Sequence, residues 1–180
     1  MLQSKQSLSL RPNAVPLTGK KFLNLRPAGL ADLPQVNALI ESAIYIWDLP
    51  ERVKRLTMPL YLYHQHDLDF LELMVAEAET GSIVGIAAWE PADPGDAPPA
   101  HTVLLLHGIY VSPDHHRKGI GSRLFAAAEK AAALRGFDAV LVKAQPGAEH
   151  FFTACGMQRL PVEDQHRDYP HRFWKPMRSF

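Results

Sequence analysis

Apolar positions in the first half of the chain switch repeatedly between an extended spacing and a helical one. KFLNLRP, residues 21–27, alternates and stops at Pro27, which predicts a first strand. In ADLPQVNALIESAIYIW, Leu33, Val36, Leu39/Ile40 and Ala43/Ile44 recur at spacings of three and four, and Asp32 stands where an N-cap belongs. LPERVKRLTMPLYLY is a second helical stretch, bracketed by prolines. The period then falls to two. LELMVAEAE (71–79) and SIVGIAAWE (82–90) flank Thr80-Gly81, a pattern that predicts an antiparallel hairpin. PADPGDAPPA (91–100) has strand pattern on both sides and is expected as a long surface loop rather than a domain linker.

TVLLLHGIYV (102–111) is a nearly continuous apolar run, expected as a strand covered on both faces. IGSRLFAAAEKAAALRG is the clearest helix, with Ile120, Leu124, Ala127, Ala131 and Leu134 as one stripe and Gly136 at the C-cap. DAVLVKA reads as a strand, GAEHFFTACG as a short helix, and MQRLP and HRFWKPM as two final strands. The order β-α-α-β-β-β-α-β-α-β-β predicts one α/β domain over residues 21–180, with a mixed sheet of about seven strands and helices packed on it. Residues 1–20 are polar and Pro-punctuated, and are expected to form a loosely held arm.

Composition narrows the partners. Lys+Arg 19 against Asp+Glu 19 leaves no net charge, so neither nucleic acid nor an anionic membrane is expected as partner, and any cationic site must be local. A single cysteine, Cys155, excludes an internal disulfide framework and fits a reducing compartment. The first residues lack an apolar core of signal-peptide length, and no stretch nears 18 apolar residues; a cytoplasmic, unanchored protein is expected. Nine histidines raise the question of metal, but His64-x-His66 and His115-His116 lack a carboxylate or thiolate partner at ligand spacing, and no metal is expected.

The stretch with local charge is HHRKGIGS, residues 115–122, at a strand-to-helix turn. The first N–H groups of a helix lack internal acceptors, and the helix dipole puts partial positive charge on them. Gly119 and Gly121 would let a diphosphate approach, Arg117 and Lys118 add cations, and Ser122 adds a hydroxyl. Spacing alone leaves an anion site and an ordinary helix start equally open. It does exclude two familiar loops: the dinucleotide fingerprint lacks its third glycine, and the Walker pattern is missing.

IYVSPDHHRKGIGSRLF resembles motif A of the GCN5-related N-acetyltransferases, in which a strand leads through [Q/R]-x-x-G-x-[G/A] into a helix. Downstream, Gln145 to Met157 (QPGAEHFFTACGM) is similar to the family's N-x-x-A-x-x-x-Y-x-x-x-G-F, with Ala148 and Gly156 in register. The element order matches too, so the resemblance spans about residues 21–178. It implies that fold and acetyl-CoA as cosubstrate. Main-chain groups of Ile109, Tyr110 and Val111 would pair with the pantetheine arm like an added strand. The N–H groups of Arg117, Lys118, Gly119, Ile120, Gly121 and Ser122 would hold the pyrophosphate. An N–H near Ile109 would polarise the thioester carbonyl, and the acceptor amine would attack directly in a ternary complex.

Three positions depart from the family pattern. His116 replaces Gln or Arg, Gln145 replaces Asn at a position expected to reach the pantetheine, and Phe152 stands where a tyrosine often protonates the leaving thiolate. Cys155, Tyr169 or a water are alternative proton donors; packing roles are the plainer reading of both side chains. His107 is the first candidate for general base, placed by strand alternation on the face of Leu105 and Ile109, with a core histidine as the competing reading. Glu90, at the end of the preceding strand, is a second candidate. The acceptor is expected between residues 45–70, the strands after motif A and the 162–170 loop, where Trp47, Tyr61, Tyr63, His64, Asp67 and Asp69 suit an amine with an apolar body. Two other readings stay open: an acyl-CoA-binding sensor or interaction module, and a nucleotide-binding protein using HHRKGIGS. By analogy with the family, a homodimer is open as well, with HRFWKPMRSF supplying a shared strand.

Overall fold

The computed structural model describes residues 23–166 and 168–177, so the N-terminal arm and the first two residues of the expected opening strand lie outside it. Its elements follow the expected order: β1 (Leu23–Pro27), α1 (Leu33–Tyr45), α2 (Glu51–Thr57), β2 (Glu72–Ala78), β3 (Ile83–Pro91), β4 (Val103–Val111), α3 (Ile120–Leu134), β5 (Ala139–Lys143), α4 (Glu149–Ala154), β6 (Gln158–Arg159) and β7 (Arg172–Pro176). Among the described residues the strands form one seven-stranded sheet in the order β1-β2-β3-β4-β5-β7-β6. Every neighbouring pair is antiparallel except β4–β5, whose parallel crossover runs through α3. β7 is paired on both sides within its own chain, by β5 and β6.

The helices cover both faces. On one, the α1 stripe Leu33, Val36, Leu39, Ile40, Ala43 and Ile44 is buried as its spacing requires, against Val75, Ile86 and Ala88. On the other, α3 and α4 pack on Trp89, Leu104, Leu106, Val140 and Val142. The α3 stripe is rotated from the one expected. Phe125, Ala128 and Ala132 are buried with Ile120 and Leu124, whereas Ala127 and Ala131 sit at the margin and Leu134 is 77% exposed. An alanine-rich helix presents apolar surface nearly all round, so the sheet decides which face goes in. Part of that decision is Gly85 on β3, where a Cβ would lie 2.8 Å from Ile120 Cγ2 and 3.0 Å from Leu124 Cδ1. Gly136, at φ +73, ends α3: Phe137 N donates to Ala132 O and Gly136 N to Ala133 O, which satisfies carbonyls that the helix leaves open. The Pro-rich loop is a surface loop as expected, and Ala92 and Ala97 pack over Val103 and Leu141, where no helix covers the sheet.

Asp32 does not cap α1 with its side chain. It accepts instead from Gly29 N at 2.8 Å and from both terminal nitrogens of Arg26 at 2.8 and 2.9 Å, while Arg26 Nε reaches Glu77 at 3.0 Å. This cluster ties β1 to β2 and to the start of α1. The Arg26 guanidinium holds both carboxyls below their ordinary range, Asp32 with help from Gly29 N–H. Both therefore bind protons less readily folded than unfolded. Their contribution is complete above about pH 5 and is lost as pH falls through and below the ordinary carboxylate range. In Arg26→Met the acid-side decline of the thermal midpoint should be shallower than in the parent, read by melting between about pH 3 and 7. Gly85→Ala should lower unfolding free energy by ~1–3 kcal/mol through overpacking against Ile120 and Leu124, read by urea titration.

Candidate active site

β4 pairs with β5 only from Val103 to Leu106, opposite Ala139 to Val142. Pairing with β3 continues to Val111, and β5 stays with β7, Ala144 N donating to His171 O at 2.9 Å. Beyond Leu106 and Val142 the two parallel strands therefore part. A bulge marks the place: Trp89 pairs with Leu106 and Ala88 with Gly108, which leaves His107 as the extra residue of β4. The bulge also reverses the alternation. Leu105 packs under the Pro-rich loop, but Ile109 joins Leu104 and Leu106 on the α3 side, so His107, Leu105 and Ile109 do not share the face that strict alternation assigns them.

A cavity of about 240 Å³ fills the wedge, lined by His107 to Tyr110 of β4, Val142 to Gln145 from β5, Ala148 and Phe152 of the α4 region, and Trp47, Leu60, Tyr61 and Tyr63. Ser112 N donates to Val84 O, so alternation turns the main-chain groups of Tyr110 toward β3 and those of Ile109 and Val111 toward the wedge. The Val111 carbonyl already accepts from His116 Nε2 at 2.9 Å. The Tyr110 ring lies in the α1-side core, and burial pushes its hydroxyl well above the ordinary phenol value.

At the far end of β4, Arg117 and Gly119 both take left-handed backbone, φ +62 and +76. Arg117 holds this conformation without glycine's freedom, a strain that tertiary context must maintain. The turn exposes a row of donors: among the described residues, no acceptor is found for the main-chain N–H of Arg117, Lys118, Gly119, Ile120, Gly121 or Ser122. Space beside Gly119 is open, whereas a Cβ on Gly121 would lie 3.0 Å from the Phe151 ring, so the start of α3 is seated against α4. Lys118 Nζ donates to Asp114 O at 2.6 Å, holding its cation beside the turn.

At the bulge, His107 Nε2 lies 2.7 Å from Glu90 Oε1, each side chain about one third exposed, at 35% and 33%. Of the two, His107 lines the cavity and Glu90 does not; the same lining includes an aromatic wall. Trp47 meets Tyr61 edge-on with centroids 5.6 Å apart and stacks on Tyr110 at 6.4 Å. The wall is fixed from α1: Asn37 Nδ2 donates to Tyr63 O at 2.8 Å, and Tyr63 N donates to Asn37 Oδ1 at 2.9 Å. Gln145 Nε2 donates to the Tyr61 hydroxyl at 3.0 Å, which ties the wall to the β5–α4 loop.

Other candidates lie elsewhere. Asp67 caps its own turn, accepting from His64 N at 2.6 Å, and neither these two nor Asp69 lines the cavity. Tyr169 is half-buried, sits edge-on to His171 at 5.9 Å and lies outside the lining. Cys155 packs against the α3-side core, where burial raises its thiol pKa. Sequence reasoning passed over Asn37 and Lys143. The latter lines the cavity, with Nζ held by Asp96 at 2.8 Å, and a lone lysine ending an apolar strand gives no signal of that. Among the described residues no group of histidines, cysteines and carboxylates is arranged to hold a metal, and no helix is long and apolar enough to cross a membrane.

The description "Acetyltransferase (GNAT) family" matches residues 41–157, well over half of the chain. The chain belongs to the GNAT acetyltransferase family. It is thus an acetyltransferase, with acetyl-CoA as cosubstrate. No curated protein sequence matches the chain. Among solved structures, it is similar to the PaiA N-acetyltransferase of Thermoplasma acidophilum in complex with coenzyme A. That match has 15% identity and a TM-score of 0.69, covering 86% of this chain and 99% of that one. It is also similar to a GNAT acetyltransferase of Brucella melitensis in complex with acetyl-CoA, at 18% identity and TM-score 0.57, over 77% of this chain and 84% of the other. An aminoglycoside N-acetyltransferase in complex with CoA is similar at 19% identity and TM-score 0.58, over 82% and 93%. At these identities the likeness is one of fold.

Proposed function

We propose that this GNAT domain transfers acetyl from acetyl-CoA to a primary amine, which attacks the thioester directly while both substrates are bound. The observation that carries this reading is the wedge between β4 and β5, with His107, bonded to Glu90 of β3, where the strands part, and with N–H donors at the far end of β4 that find no acceptor among the described residues. Ile109 and Val111 offer main-chain groups to an extended pantetheine as an added strand would use them. The pyrophosphate sits on the N–H groups of Arg117 to Ser122, with Arg117 and Lys118 as nearby cations. Gln145 and Phe152 border the pantetheine end of the same cavity.

His107 acts as the base. Its Nε2–H donates to the Glu90 carboxylate, which leaves the Nδ1 lone pair to take a proton from the amine, directly or through water. The N–H near Ile109 stabilises the oxyanion that forms on the thioester carbonyl. Trp47, Tyr61, Tyr63 and Tyr110 suit an alkylammonium with an apolar body, since aromatic faces attract a cation and also bury carbon. A lone thiol fits a cytoplasmic setting. A second reading, an acyl-CoA-binding module, draws on the apolar Phe152 in the cavity lining.

Free-thiol release from acetyl-CoA across a panel of amines separates the two readings, because a module binds CoA and releases no thiol. His107→Ala should lower kcat/KM by about 10²–10⁴-fold, and Glu90→Gln by less, while Cys155→Ala keeps parental turnover. Gly119→Val, strained at φ +76, should weaken CoA binding by more than about tenfold in calorimetry, since the N–H row loses its alignment.

A further inference from the structure

We infer that Tyr61 supplies the proton taken up by the CoA sulfur as the thioester breaks. The inference rests on the acetyl-transfer reading above and adds a residue to it. Attack by the amine gives a tetrahedral intermediate; when this collapses, the C–S bond breaks and its electron pair stays on sulfur. The proton removed from nitrogen goes to His107, so the sulfur needs a separate donor.

The lining offers few. Phe152 carries no acidic hydrogen, and Lys143 spends its ammonium on Asp96. Tyr110 is 9% exposed, its ring inside the α1-side core, and burial lifts the Tyr63 hydroxyl far above the ordinary phenol value. Tyr61 differs in its hydrogen bonding. Its oxygen accepts from Gln145 Nε2, so the hydroxyl hydrogen is not used in that bond and can be aimed at a ligand. Gln145 and Phe152 belong to the β5–α4 side of the same cavity, so the bond carries the Tyr61 oxygen across the wedge toward the cosubstrate end. Burial, and after it Tyr169, raises the Tyr61 pKa, but the Gln145 N–H works against both by favouring the phenolate, an offset absent from the causes that raise Tyr63. After donation, the Gln145 N–H remains on the oxygen and steadies the phenolate until solvent returns a proton; His107 releases its own proton to solvent, and the charges balance.

The test uses the full chain and follows free thiol with an amine that the parent acetylates. Tyr61→Phe should lower kcat by about 10- to 100-fold and leave KM for acetyl-CoA within about twofold. Tyr61→Phe with Phe152→Tyr should recover most of the loss, because it restores a phenol from the opposite wall of the cavity. Turnover by Tyr61→Phe within about twofold of the parent overturns the inference. So does a raised acceptor KM at unchanged kcat, which marks Tyr61 as wall alone, or a double variant as slow as the single one. If the parent binds CoA and releases no thiol with any amine, the acetyl-transfer reading itself fails. A fast Tyr61→Phe removes only the proton donor.

Discussion

A strand can pair along each edge with only one neighbour at a time, and the molecule is organised around the place where β4 loses one of its two. Four residues of parallel ladder, Val103 to Leu106 against Ala139 to Val142, hold the two parts of the sheet together. Beyond them β3 keeps β4 while β7 keeps β5, and the strands diverge under their own twist. The wedge is thus built from partners withheld. Its facing main-chain groups would be costly if sealed away from water and left unpaired, and the opening keeps them available to solvent or a ligand.

The bulge at His107 turns that divergence into a site. One extra residue lets β4 keep its register with β3 while its side chains change faces. A histidine thereby leaves the apolar run and reaches Glu90 on the neighbouring strand. Were His107 to take a regular place in the ladder instead, alternation would carry Ile109 to the wrong side of the sheet, and the α3-side core would lose it.

Legibility in the sequence follows the range of the interaction. The hairpin around Thr80-Gly81 and the α1 stripe are set by residues within a few positions, and periodicity shows both. HHRKGIGS is legible for the same reason, since a run of N–H donors before a helix is a local property. The phase of α3 is not, because alanine on every side offers several equivalent stripes and the sheet, Gly85 included, selects among them. The bulge leaves no mark either: TVLLLHGIYV is apolar before and after the change of face. Least visible is the bond from Gln145 to Tyr61, 84 positions apart, which exists only because the topology folds the α2 region over the α4 loop.

The turn before α3 and the aromatic wall of the cavity draw on different parts of the chain's chemistry. The turn before α3 presents main-chain N–H groups, and replacing the side chains of His116, Lys118 or Ser122 does not delete one of them. The cavity wall is made of side chains, Trp47, Tyr61 and Tyr63, any of which a single codon change can remove. Substitution therefore bears unequally on the two: the turn keeps its donors through backbone shape, and the wall changes its chemistry with each replacement. The chemistry of the cavity can thus be altered piece by piece while the row of N–H donors stays in place.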